Sequence, residues 1–369
     1  MIQAPYIAAL TALATGGLVL LLARTIGPKG WMDVPTHRKA HAHPVPRIGG
    51  LALILVLLAA KVLGVLSLGL SYLEWSVVVS MATIGVLDDR LNLRARWKAM
   101  AGMLVAIPLA AVHTRQLLQS GLDVTLFGID IPDHAVVLFP LLMLWYWGIP
   151  QAFNLIDGLN GLSLGFSCVL LGALSLGPGS LLGAGSAPLW GALLALLLLN
   201  YPKARHFMGD AGSLTLGSLF AVLVMERALP VHRGLGFWLM AYPILDVTTV
   251  VAIRRYSGRP LGQADRSHLH HWLLERLGGR AWLVTPLLLG LAALPMTRDL
   301  PWAHAKAISV LGLGALVLLA LRVFLDKAIL NPLSAYVPRK EPRHAFLNEP
   351  SGAHAPALLN RTSGTHPAA

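Results

Sequence analysis

The feature that most constrains this chain is a repetition of long apolar runs separated by short polar stretches. Runs such as Leu51–Ala60 and Leu189–Leu199 carry no charge. A segment that is apolar on every side needs lipid or protein all around it, not a half-wetted surface. Inside hydrocarbon each backbone polar group must be satisfied within its own segment, so such runs are read as helices. About 20 apolar residues cross a bilayer core, and shorter segments suffice where protein covers part of the path. Candidate spans fall at 6–26, 48–69, 72–87, 98–113, 134–151, 161–177, 186–200, 212–229, 235–253, 281–297 and 304–325. The expected fold is all-α: a polytopic membrane protein of about 11 transmembrane helices.

Charge sets the expected orientation. Of the chain's 29 Lys and Arg, 23 lie in or beside the segments that follow spans 1, 3, 7, 9 and 11. The opposite face carries only Arg115, Arg227, Arg233, Arg298 and Lys306. Basic residues stay on the cytoplasmic side, so the N-terminus is expected outside and the C-terminus in the cytoplasm. The net charge of +12 is then read as a membrane-surface and phosphate-attracting feature, with no nucleic acid implied. Residues Met1–Tyr6 lack Lys and Arg and no clear A-x-A site precedes Arg24, so the first span reads as a retained helix. The lone Cys168 excludes an intramolecular disulfide framework. Lys61, near the middle of span 2, is expected to snorkel or to contact a lipid phosphate. Gln119–Asp133 alternates weakly around Gly and Pro, which suggests a small external hairpin. Residues 1–330 are read as the catalytic transmembrane domain and 331–369, rich in Pro, Ala, His, Ser and Thr, as a disordered cytoplasmic tail.

The acids and histidines fall on the same side as the basic residues, although they took no part in that count. The clusters are Asp33–Gly50, Gly85–Arg90, Asn154–Gly161, Phe207–Ser213 and Asp265–His271. Asp88 and Asp89 are adjacent at the end of an apolar span, where two carboxylates do not both stay ionised without a cation. With Asp157 and Asp210 they make a set of hard oxygen donors suited to Mg²⁺ beside substrate phosphates. The bland reading is that Asp88 and Asp89 cap the next helix or pair with Arg90 and Arg94. Glycines flank the acids, and Ser213 reads as a cap of the following helix. His268, His270 and His271 fit three roles: a transition-metal site, a solvated cluster, or N–H donors to a phosphate beside Arg254, Arg255, Arg259 and Arg266. Arg38, Lys39, His41, His43 and Arg47 offer a second basic wall. No Walker A or G-x-G-x-x-G sequence is present.

These five clusters carry a resemblance. D-x-P-x-x-R-K-x-H-x-x-P-x-P-R-x-G-G (Asp33–Gly50), the pair Asp88-Asp89, N-L-I-D-G-x-x-G-L (Asn154–Leu162), F-M-G-D-x-G-S (Phe207–Ser213) and A-D-R-x-H-x-H-H (Ala264–His271) occur in order. In them the chain resembles the polyprenyl-phosphate N-acetylhexosamine-1-phosphate transferases (glycosyltransferase family 4), over about residues 1–325. The resemblance implies a cytoplasmic active site in a bacterial inner membrane and Mg²⁺ as cofactor, with Mn²⁺ as a substitute. It implies Asp210 as the direct metal ligand and Asp88 as a further ligand or the acid beside the attacking lipid phosphate. Asp89 would be its orienting neighbour, and His268, His270 and His271 would sit by the diphosphate. Asn154 and Asp157 would face the nucleotide-sugar and Phe207 would stack on uracil, while Arg38, Lys39, His41, Arg47 and Arg266 would bind phosphate. Where many relatives have Asp, this chain has Asn160, which receives no metal role.

The implied partners are a UDP-N-acetylhexosamine, undecaprenyl phosphate and the bilayer, with a homodimer open. The implied reaction moves N-acetylhexosamine-1-phosphate, with N-acetylglucosamine the favoured sugar, to the lipid phosphate and releases UMP. Asp88 could take a residual proton, orient the acceptor, or act as a nucleophile in two steps. The runner-up is the branch that uses UDP-MurNAc-pentapeptide. Rivals of other classes are a polytopic transporter of a phosphorylated substrate and a non-catalytic membrane scaffold.

Overall fold

A computed structural model describes residues 3–34, 43–121, 124–126, 129–176, 182–228, 235–260, 262, 266–299 and 304–330. Among these the helices are α1 (Gln3–Thr25), α2 (Gly49–Val62), α3 (Tyr72–Leu91), α4 (Ala95–Ser120), α5 (Ala135–Ile156), α6 (Leu162–Leu176) and α7 (Ala187–Asn200). They continue as α8 (Gly209–Leu223), α9 (Leu235–Leu239), α10 (Ala241–Tyr256), α11 (Leu269–Arg276), α12 (Ala281–Ala293) and α13 (Ala305–Phe324). Each candidate span overlaps one helix or, at 235–253, the consecutive pair α9 and α10. Four helices are by themselves long and apolar enough to cross a membrane: α1, α4, α5, and α13 with its π-helical continuation to Leu330. The apolar helices α2, α6, α7 and α12 are shorter. Large apolar side chains point outward, Leu13 at 75% and Leu198 at 79% exposure, which suits lipid and not water. The chain is a multi-pass helical membrane protein.

Two local expectations are settled here. Val124–Leu126 (β3) pairs antiparallel with Ile129–Ile131 (β4), so the segment before α5 is a hairpin. A first small ladder, Met32–Asp33 (β1) with Val45–Pro46 (β2), closes the loop after α1. Lys61 is not in mid-span: α2 ends at Val62, which places Lys61 in its last turn, with the ammonium 5.0 Å from the Trp75 ring centre. A cation over an indole face needs no acidic partner. The proposed tail, 331–369, lies outside the described residues.

The centre of the bundle is α8. Every residue from Ala211 to Leu223 is buried, so the helix has no wet face. Its hydroxyls are satisfied internally: Ser213, Thr215 and Ser218 donate to the carbonyls of Gly209, Ala211 and Leu214 at 3.1, 2.5 and 2.8 Å. Ser213 is therefore the fifth residue of α8 and not its N-cap, a position that Met208 takes. Helices α2, α3 and α5 pack on α8 and reach it very closely at its N-terminal end. A Cβ on Gly50 would lie 1.9 Å from the Gly212 nitrogen, and one on Gly85 would lie 2.4 Å from the Asp210 carbonyl oxygen. The obstacles are backbone, which cannot rotate away. Gly85→Ala is therefore expected to destabilise the bundle by at least ~1–3 kcal/mol, the usual range for overpacking. Thermal melting in detergent would show the loss, against a control Gly290→Ala, where nothing lies within 4 Å of the added methyl.

Candidate active site

The site is built on the α3–α4 turn and the start of α8. Ser71 and Glu74 form a capping box that starts α3, and Asn92 at φ 49° ends it. Asp88 turns its Oδ1 to the Leu93 N–H at 2.7 Å, which ties the carboxyl to the turn. Only two residues separate Asn92 from α4, so Lys98 in the first turn of α4 lies over the end of α3. Its Nζ donates to Asp88 Oδ2 at 3.1 Å and also to Asp210 Oδ2. Lys98 was read from the sequence only as one of many basic residues.

Asp89 acts across the bundle. Its carboxylate accepts the backbone N–H groups of Asp210 at 3.0 Å and Ala211 at 2.9 Å. These are first-turn amides of α8, which have no partner within the helix. A carboxylate there also meets the positive end of the helix dipole. Asp89 therefore caps not the next helix but α8, 121 positions along the chain. Asp210 itself is oriented by Asn154, whose Nδ2 donates to Asp210 Oδ1 at 2.8 Å and to Ser213 Oγ at 2.9 Å.

The remaining clusters close around this centre. Phe207 N donates to the Pro46 carbonyl at 2.9 Å, and Gly49 N to the Phe207 carbonyl at 3.0 Å, so the first-loop and fourth-cluster segments run side by side. Arg47 donates to Asp33 Oδ1 at 2.5 Å and stands 4.0 Å from Asp89 Oδ1. Asp157 accepts from Ser163 Oγ. Asn160 uses its Nδ2 on the Pro202 carbonyl at 3.0 Å, a purely structural bond. Asn200 at the end of α7 accepts Gly161 N–H at 2.5 Å and donates to the His206 carbonyl at 2.8 Å, joining the third and fourth clusters. Arg38, Lys39, His41 and Asp265 lie outside the described residues; Arg266 is exposed.

The histidine run is organised by a residue the sequence did not single out. Asp246, fully buried on α10, accepts from His268 Nδ1 at 2.7 Å and from Leu269 N–H at 2.7 Å. That bond sets an N–H on Nδ1 against the carboxylate and fixes the orientation of the ring. His270 is completely buried with no hydrogen-bond partner on either ring nitrogen. Its Nε2 lies where a Cβ on residue 158 would be, 2.4 Å away, so only Gly158 leaves room for it. His271 packs against His270 with ring centres 4.3 Å apart.

Burial and mutual repulsion spread the acid strengths. Asp88 is raised to about 6, by burial first and then by Asp210, with Lys98 opposing. Asp89 is raised to about 7 by burial, against the lowering effect of the Ala211 N–H. Asp157 is raised to about 7 by burial, with Ser163 opposing and the charges of Asp210 and Asp89 adding. Asp210 stays below the ordinary range: burial raises it, but hydrogen bonds from Asp88, Lys98 and Asn154 outweigh that. His270 is pushed well below the usual imidazole value by burial and by its neighbours His271 and His268.

Among the described residues, two trios of His, Asp or Glu bring ligand atoms within 4.8 Å of one another: Asp246, His268 and His270, and Glu74, His113 and Glu226. The aspartates at the α8 N-terminus are not such a trio. Two of them, Asp88 and Asp210, already share one cation in Lys98. An oxygen pair bridged by an ammonium is a fit for Mg²⁺, which takes one or two carboxylates and completes its shell with phosphate and water.

Paired acids, a lysine and a buried helix start thus meet at one end of an apolar helical bundle. Residues 71–227 match glycosyl transferase family 4. The chain is 30% identical to the probable undecaprenyl-phosphate N-acetylglucosaminyl 1-phosphate transferase of Bacillus subtilis (strain 168), over 73% of this chain and 76% of that protein. It is 28% identical to the undecaprenyl-phosphate alpha-N-acetylglucosaminyl 1-phosphate transferase of Yersinia pestis, over 69% and 73%. It is 29% identical to the decaprenyl-phosphate N-acetylglucosaminephosphotransferase of Mycobacterium tuberculosis (strain H37Rv), over 73% and 74%. The chain belongs to glycosyl transferase family 4.

The two adjacent aspartates should separate on mutation. Asp89→Asn leaves one α8 amide facing an NH₂ group and is expected to cost ~1–3 kcal/mol of stability. Asp88→Asn keeps the acceptor for Leu93 N–H and should melt close to wild type. Thermal unfolding of the two purified variants checks the order.

Proposed function

We propose that this protein transfers N-acetylglucosamine-1-phosphate from its UDP-sugar to undecaprenyl phosphate and releases UMP, as the first step of a cell-envelope glycan. The observation that carries the reading is the Asp88–Lys98–Asp210–Asn154 constellation on the α8 N-terminus, in a chain whose relatives are named for this transfer. The UDP-MurNAc-pentapeptide reading finds no support in those names.

In the proposed reaction an acceptor phosphate oxygen bonds to the β-phosphorus of the donor. The bond from that phosphorus to the bridging oxygen breaks, and its electron pair leaves with UMP. Mg²⁺, when bound, supplies neutralisation of the diphosphate charge. Asp210 and Asp88 are the residues that would hold it, with Lys98 swinging from between them to a phosphate oxygen. Asn154 holds the Asp210 carboxylate in register. Where Asp210 alone holds the ion, Asp88, raised by burial to about 6, is instead free to take the proton of a monoprotonated acceptor. Arg47 and the Asp246-oriented His268 face incoming phosphates, with His270, His271 and Arg266 beside them. Asp157 and Phe207 are assigned to the nucleotide-sugar, as are Arg38, Lys39 and His41 to its phosphates.

The distribution of Lys and Arg supports a cytoplasmic site, with the N-terminus outside, the C-terminus inside and about eleven helices crossing the bacterial inner membrane. Residues 1–330 would carry all of the chemistry.

UMP formation from UDP-N-acetylglucosamine should require both undecaprenyl phosphate and Mg²⁺, with Mn²⁺ as a weaker substitute. Asp210→Asn and Asp88→Asn should each lower turnover by on the order of 10²–10³-fold or more while the protein stays folded. Near-normal turnover of purified Asp210→Asn would remove the metal assignment. The raised acids also predict a pH dependence. Protons compete with Mg²⁺ for Asp88, so affinity for Mg²⁺ should fall by up to ~tenfold per unit as pH drops below about 6, and level off above it. Mg²⁺ titrations of activity at pH 5, 6, 7 and 8 measure this.

A further inference from the structure

A second polar cluster lies at the opposite end of α3 from Asp88. Glu74 is in the first turn and Asp88 in the last, so about 21 Å of helix separates them at 1.5 Å per residue. Glu74 is only 3% exposed. Its Oε2 closes the capping box by accepting Ser71 N–H at 2.5 Å, but its Oε1 is buried with no hydrogen-bond partner. That oxygen points at His113 of α4, 3.9 Å from Nε2. The same Nε2 is 3.0 Å from Glu226 Oε1, on the π-helical turn Val224–Ala228 that continues α8. The other ring nitrogen of His113 is hydrogen-bonded to the hydroxyl of Tyr146, which is fully buried on α5.

We propose that Glu74, His113 and Glu226 form a second divalent-cation site, of the zinc class, distinct from the phosphate-transfer centre. Three observations converge on it. The first is composition: two carboxylates and one imidazole, from the ends of three helices, converge into an oxygen and nitrogen donor set that a divalent ion can take. The second is geometry. Metal bonds of about 2.0–2.2 Å in a tetrahedral shell put neighbouring ligand atoms about 3.4 Å apart. The two separations from Nε2, 3.0 and 3.9 Å, lie on either side of that value, and all three ligand atoms are within 4.8 Å. The third is the orphaned Glu74 Oε1, an acceptor aimed into the cluster with nothing to accept from.

One nitrogen and two oxygens select a zinc-class ion over Mg²⁺, because imidazole is a poor ligand for the harder ion. Tyr146 would hold the His113 ring through Nδ1, the outer-shell bond that metal-binding histidines normally make. Glu226, with a third of its side chain exposed, leaves a path for the ion and a fourth position for water. The consequence is mechanical: the ion would join α3 and α4 to the far end of α8, the helix whose other end carries Asp210.

Full-length protein in detergent, stripped with chelator and dialysed against Co²⁺ or Zn²⁺ with excess Mg²⁺, tests this. Wild type should retain one equivalent more Co²⁺ or Zn²⁺ than His113→Gln or Glu226→Gln. Its Co²⁺ form should show a visible four-coordinate band absent from both variants, and Zn²⁺ should raise the melting temperature of wild type alone. Equal metal content and equal spectra in all three proteins overturn the proposal. Because Asp246, His268 and His270 also lie close together, Asp246→Asn is measured beside them. A band lost with Asp246→Asn and kept in His113→Gln overturns the proposal as well. If His113→Gln does not yield monodisperse protein, Glu226→Gln at the exposed rim decides alone.

Discussion

The first turn of α8 is buried, and its unpaired amides must find acceptors without water. In a membrane bundle this demand is absolute, because an unsatisfied N–H in a low-dielectric interior costs several kcal/mol. Asp89 meets it with two backbone hydrogen bonds from a helix far away in the chain. That single carboxylate locks the end of α3 to the start of α8. Gly50 and Gly85 complete the lock from the other side by letting α2 and α3 come against the same backbone. Asp88, Lys98 and Asp210 are positioned relative to this point.

The electrostatics follow from the lock. Once Asp89 is committed to the helix start, Asp210 projects from that start beside Asp88, with Lys98 between them. The acids cannot all be ionised at once in so small a space, so the site separates them. Asp210, which holds three donors, stays charged, and Asp88, Asp89 and Asp157 titrate near neutrality. In the proposed reaction the charged acid would serve the metal and a raised one the proton. Asp246 fixes the orientation of His268, and burial keeps the neighbouring His270 well below the usual imidazole value.

The far end of α8 belongs to the same account. Its π-helical turn brings Glu226 to His113 and Glu74, so α8 is held by polar contacts at both ends and by apolar packing between. The outward faces of α1, α4, α7 and α13 present large apolar side chains.

Much of this was readable in the sequence. Apolar runs located the helices, because backbone satisfaction in lipid is a local requirement. Aspartates, histidines and glycines in expensive positions marked residues that the fold gathers, and their motif order marked the family. Length was less legible: α2 stops at Val62 and α12 at Ala293, so they are shorter than the runs containing them, and Lys61 became a helix-end residue over Trp75. Lys98, Asn200 and Asp246 were invisible as site residues, since each looked like an ordinary flanking or span polar residue. Their roles arise only from partners far away in the chain, such as Asp210 for Lys98 across 112 positions. Local chemistry, which depends on neighbours in sequence, determined the elements and the type of reaction. Which acid caps, which binds and which cation stands between them depended on long-range packing, and only the tertiary structure decided that.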